Sequence, residues 1–130
     1  MRPEPCVTAL ALSAALLAMP MLPSAAAAEA DEPKGYMVGL VTVENKDWVK
    51  PYRAKNSQLL KKHGGRILVR GKPVEILEGT GPNGRAIVIV EFPSMENVRA
   101  WYNDPEYRPL IELRQSGSTA DFMLLKELPR

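Results

Sequence analysis

The sequence predicts an α+β domain in which four strands form one antiparallel sheet and the helices gather on one face of it. Three observations carry that expectation. Four apolar runs of strand length, GYMVGLVTVE, RILVRG, RAIVIVEF and DFMLLKEL, are bounded by Gly, Pro, Asn and Asp. The segments between the first and second runs, and between the third and fourth, carry helical spacing and helix-start signals. The second and third runs are separated by turn formers, GTGPNG, with no helical pattern.

Taken in order, EADEPK (29–34) is charged, contains a proline and has no periodic apolar positions, which suits a flexible leader. GYMVGLVTVE, rich in Val and bounded by Gly35 and Asn45, is the first strand. Asn45 is a good N-cap for a helix running to about His63, and Pro51 falls in its early turns, where the missing N–H costs least. Gly64 and Gly65 end it, one of them in the left-handed conformation of a helix C-cap. RILVRG is the second strand, and KPVEILEG is expected to extend it beyond a kink at Gly71 to Pro73. RAIVIVEF is the third strand. Ser94 caps the next helix with Glu96 in its first turn, and at NDPEY a second piece opens, with Asp104 as cap and Pro105 as first residue, ending near Gly117. DFMLLKEL is the last strand. Strand, helix, strand, strand, helix pair, strand is the β-α-β-β-α-β order of ferredoxin-like folds.

A one-sided antiparallel sheet alternates apolar and polar residues, but AIVIV, ILV and FMLL are apolar at successive positions and therefore on both faces. The face turned away from the helices needs a cover. In a single short domain the expected cover is a second copy of the chain, so the partner expected is itself, as a homodimer packed through the sheet faces.

Residues 1–28 stand outside this domain. CVTALALSAALLAMPMLPSAAAA carries no charge and ends on Ala26 and Ala28 in an A-x-A arrangement, which reads as a secretory signal peptide cleaved after Ala28. The organisation expected is signal peptide 1–28, leader 29–34 and domain 35–130, with a periplasmic or secreted location and no membrane segment after cleavage. Cleavage removes Arg2, Glu4 and the sole cysteine, Cys6, so the net charge stays at +2. That balance argues against nucleic-acid binding, and the mature chain can have neither disulfides nor thiolate chemistry.

With the organisation in view, KGYMVGLVTVENKDW, KHGGRILVRG, ILEG, RAIVIVEFPSMENVRAWYNDPEYRPLIELRQ and DFMLLKEL together resemble the domain of unknown function 1330 family, over nearly the whole mature chain. The resemblance implies membership of the dimeric α/β-barrel superfamily, and so implies the dimer a second time. Related families include cofactor-free monooxygenases of polyketides, haem-degrading enzymes and small isomerases, so the resemblance narrows geometry more than chemistry. An export signal sets this chain apart from the cytoplasmic members the family leads one to expect.

Several side chains are candidates for chemistry. Trp48, Tyr52, Asn56, Leu59 and His63 lie at helical spacing on one stripe, which aims the polar set Tyr52, Asn56 and His63 at the sheet. His63 is either a general acid or base in a pocket there or a residue that caps its own helix. Arg66 and Arg70, four apart on a strand, are expected on one face, binding an anion or pairing with Glu75 or Glu91. Glu91, if buried, needs such a partner. Trp101, Tyr107 and Arg114 from AWYNDPEYRPLIELR could line a pocket for a flat organic ligand or pack as core. EGTGPNGRA lacks the Gly-Lys-Ser/Thr ending of a phosphate loop, and one histidine without cysteine leaves no recognisable zinc site, so no cofactor is expected.

Three readings of function stand side by side. The first is an exported homodimer that binds a small aromatic or carboxylate-bearing molecule between sheet and helices. The second is a cofactor-free monooxygenase or isomerase using His63 as base, with a tyrosine and an arginine holding an enolate-like intermediate. The third is a structural or interaction module without a ligand.

Overall fold

A computed structural model of the protein describes residues 2–4 and 32–130. Both the cleavage site and most of the expected signal peptide and leader lie outside them. Seven elements follow: β1 (Gly35–Val43), α1 (Val49–Lys62), β2 (Arg66–Gly71), β3 (Ala86–Phe92), α2 (Met95–Tyr102), α3 (Arg108–Gln115) and β4 (Ser118–Lys126). The strands form one antiparallel sheet in the order β2-β3-β1-β4, the ferredoxin-like topology expected. Among the described residues no helix is long and apolar enough to cross a membrane.

The alternation of side chains divides the sheet into two unlike faces. Met37, Val41, Val90 and Phe92 point towards the helices and are buried. Together with Leu59 and Leu60 of α1, Val98 and Trp101 of α2, Tyr107 and Leu110 they form the core. The opposite face carries Val38, Leu40, Ile87, Ile89, Val69, Met123 and Leu125 in register with one another, and no element among the described residues covers it. At one end this face turns polar, where Glu91 accepts from Arg66 at 3.0 Å and Tyr36 at 3.3 Å and pairs with Lys34 at 3.2 Å. The partner expected for Glu91 is therefore present.

Helix ends follow local chemistry with some shifts. Ser94 Oγ accepts from the Asn97 N–H at 3.1 Å, an ordinary N-cap. At the end of α1, Gly64 adopts φ +73°, its N–H reaches the Lys61 carbonyl and the Gly65 N–H the Leu60 carbonyl, which satisfies two terminal carbonyls in a Schellman motif. The start of α1 is later than expected. Asn45 accepts from the Asp47 N–H in a local turn, and the helix begins at Val49 with no side-chain cap. Likewise Asp104 closes a turn onto the Glu106 N–H, so α3 begins at Arg108 and not at Pro105. The last strand begins three residues before the expected Asp121, because Ser118 to Ala120 pair with Val41 to Val43 of β1.

Two strand expectations need larger correction. KPVEILEG does not extend β2: beyond Gly71, at φ 152°, the chain leaves the sheet, Pro73 has no N–H to give a ladder, and Val74 and Leu77 stand almost fully exposed. Within β2 the register jumps between Ile67 and Val69, so Leu68 is a bulge. The extra residue reverses the alternation. Arg66 lands opposite Glu91 on the uncovered face, while Arg70 lands opposite Val88 on the helix-facing side, and the two arginines do not share a face.

Candidate functional site

The helix-facing side of the sheet is incompletely filled. Val49, Tyr52, Arg53 and Asn56 fall at i, i+3, i+4 and i+7 of α1 and overlie Ala86, Val88 and Val90 of β3, but only Val49 among them is aliphatic and the other three carry polar groups that leave the gap unfilled. A cavity of about 120 Å³ results, with Met37 and Val41 of β1, Ile67 and Arg70 of β2, Trp48, Arg114 and Phe122 completing its walls. Met37, Trp48, Asn56, Val90 and Arg114 are buried, whereas Val43, Arg53 and Arg70 are exposed, so the cavity has a closed inner end and an open mouth. A larger groove, about 590 Å³, runs along α3 between Tyr102, Asp104, Arg108 and Glu112. Most of its lining side chains, from α2, α3 and the turn between them, are exposed.

Polar groups at the cavity are donors. Asn56 Oδ1 accepts from Trp101 Nε1 at 3.0 Å, which fixes the amide and leaves its nitrogen without a protein partner among the described residues. The Tyr52 and Tyr107 hydroxyls are 2.8 Å apart. Tyr107 is fully buried, and this bond, in which either hydroxyl can be the donor, satisfies it inside the fold. Burial pushes the pKa of both phenols up, against the opposing pull of the Arg114 charge, so both stay neutral at physiological pH. Arg114 is 5% exposed, its guanidinium carbon lies 4.3 Å from the centre of the Phe122 ring, and its Nε has no hydrogen-bond partner. The ring can lie there because Gly39, its cross-strand neighbour, has no Cβ; one would fall 2.7 Å from Phe122 Cε1. Partial loss of solvent around its base first, and the nearby Arg53 charge second, lower the pKa of Arg70 although its side chain is exposed overall.

A family model for a domain of unknown function, DUF1330, matches residues 34–128. The chain belongs to this family. No curated protein matches it. Among solved structures, a similar fold is seen in a protein of unknown function from Rhodopseudomonas palustris, 21% identical, with a TM-score of 0.63 over 76% of this chain and 85% of that one. SnoaB, a cofactor-independent oxygenase from Streptomyces nogalater, is 13% identical, with a TM-score of 0.53 over 75% of this chain and 96% of that one. At these identities the likeness is one of fold.

In this DUF1330 domain the residues singled out from sequence separate into three places. Tyr52, Asn56, Arg70 and Arg114 come together around the cavity. Trp101 and Tyr107 are fully buried behind it, with ring centroids 4.4 Å apart and planes tilted by 42°, and reach it only through their bonds to Asn56 and Tyr52. His63 is elsewhere. Its Nε2 donates to Asp104 Oδ2 at 2.7 Å, its carbonyl accepts from Asn97, and it does not line the cavity. Asp104, also bonded to Lys62 Nζ at 2.9 Å, ties the end of α1 to the turn between α2 and α3, and the His63 hydrogen bond, followed by that of Lys62, holds its carboxyl below the usual carboxylate range. Arg53 and Phe122 were not evident as site residues. A cation inside the helical stripe of Tyr52 and Asn56 is the signal that marks Arg53; nothing local marks Phe122, whose role depends on Gly39 across the sheet.

Proposed function

We propose that this DUF1330 protein is an exported homodimer that binds a small organic molecule, about one ring in size, in the cavity between α1 and the sheet. The observation that carries the reading is the cavity itself: apolar walls from Met37, Val41, Ile67, Val88 and Val90, with a few convergent donors from Tyr52, Asn56 and Arg114. That is the composition of a small-molecule site. Its size, about 120 Å³, is near that of cavities that admit a single benzene-sized ring and well below a drug-sized pocket. The uncovered apolar sheet face supports the dimer. The charge-free, alanine-terminated stretch before Glu29 supports export.

A second reading, a cofactor-free oxygenase or isomerase, draws on the fold shared with SnoaB. It asks for a base at the ligand, and His63 lies with Asp104 away from the cavity. Binding is therefore the reading put forward. A thermal-shift panel of single-ring aromatics tests it. Some members should raise the melting temperature of the wild type and leave Val88→Phe, whose ring fills the space, unmoved; a panel with no effect on the wild type would contradict the proposal.

A further inference from the structure

The three charged residues at the cavity, Arg53, Arg70 and Arg114, are all cationic, and no carboxylate lines it. Among the described residues none of the three forms an ion pair, although Glu91 alone gathers Lys34 and Arg66 on the other face. The exception to ordinary practice is Arg114. Arginine is seldom buried without a carboxylate, because an unneutralised charge out of water is costly. Here a guanidinium with five N–H donors has a ring face beneath it, only the neutral Tyr52 and Tyr107 phenols as hydrogen-bonding neighbours among the described residues and an orphaned Nε. The Asn56 amide nitrogen and the Tyr52 hydroxyl belong to the same cavity, and no carboxylate lines it to answer them.

We infer that the ligand of this cavity is an anion, a small ring-bearing carboxylate whose charge is taken by Arg114 at the closed end. This rests on the binding role proposed above and names its ligand class. A carboxylate supplies the anionic acceptor that the Arg114 Nε and the Asn56 amide lack, while its ring lies on Val88 and Val90. Exposed Arg70 and Arg53 at the mouth favour the approach of an anion over a neutral molecule.

Calorimetric titration of the purified protein with benzoate and with its uncharged isostere benzamide separates the possibilities. Benzoate should bind at least about tenfold more tightly, the scale of a charged hydrogen bond. In Arg114→Met, which keeps volume and removes the charge, the two probes should come within about twofold of each other. If that variant fails to fold, the wild-type comparison decides alone. Equal binding of both probes by the wild type would overturn the anion inference and leave the cavity reading standing. A benzoate preference that survives Arg114→Met would overturn the role given to Arg114. Binding of neither probe would overturn the inference together with the reading beneath it.

Discussion

Ile89 is the sharpest test of the proposed dimer. Its side chain lies on the uncovered face, in register with Val38 of β1 and with Val69 of β2, where the isolated chain leaves it partly exposed. Replacing it by aspartate therefore costs the single chain little. In a two-fold dimer packed through this face, each substitution enters the interface twice. A buried charge without a partner costs roughly 3 kcal/mol or more, so the pair removes about 6 kcal/mol, or about four orders of magnitude in dissociation constant. Sedimentation velocity across micromolar concentrations reads this directly. The wild type should be dimeric and Ile89→Asp monomeric, with its circular dichroism unchanged. Val88→Asp, one residue away but facing the helices and packed against the core, should instead damage the fold. A wild type that sediments as a monomer at these concentrations, or an Ile89→Asp protein that remains dimeric, would refute the reasoning.

Three other outcomes are expected. Because the Asp104 carboxyl is held below its ordinary value in the fold, the unfolded chain takes up that proton first on acidification. The stabilisation is complete above about pH 5 and drains away as pH falls through about 3.9 and below, so Asp104→Asn should flatten the acid limb of a urea-midpoint profile; parallel profiles would count against it. His63→Asn removes the 2.7 Å bond to Asp104 but touches no cavity wall, so melting should fall by an amount equivalent to about 1 kcal/mol while benzoate affinity holds; a change in affinity without loss of stability would return His63 to the site. Expressed in a Gram-negative host, the chain should be recovered from the periplasm with Glu29 at its amino terminus by mass spectrometry; intact chain in the cytoplasm alone would contradict export.

What could be read from sequence was what local chemistry decides. Gly64 ends α1 and Ser94 starts α2 because each acts on backbone groups a few residues away, and the four apolar runs place the four strands. What escaped depends on distant partners. VEIL has the apolar content of a strand, yet Gly71 and Pro73 take it out of the sheet. The bulge at Leu68 is set by pairing with β3, and that one residue sends Arg66 to the uncovered face and Arg70 to the cavity. The stripe on α1 correctly gathered Tyr52 and Asn56, but His63 sits at the helix's last turn, where Asp104, 41 residues on, draws it aside. Trp101 and Tyr107 were equally compatible with wall or core, and their bonds to Asn56 and Tyr52 make them the core that holds the wall in place.

The central claim, that the space between α1 and the sheet is a ligand site, is tested most directly by locating a bound probe. In ¹⁵N- and methyl-labelled protein titrated with benzoate, the account predicts shifts at the Arg114 Nε–H, the Asn56 side-chain amide and the Val88 and Val90 methyls, with Ile89 and Glu112 unmoved. Shifts confined to the groove along α3, at Arg108 and Glu112, or to the uncovered sheet face would contradict it.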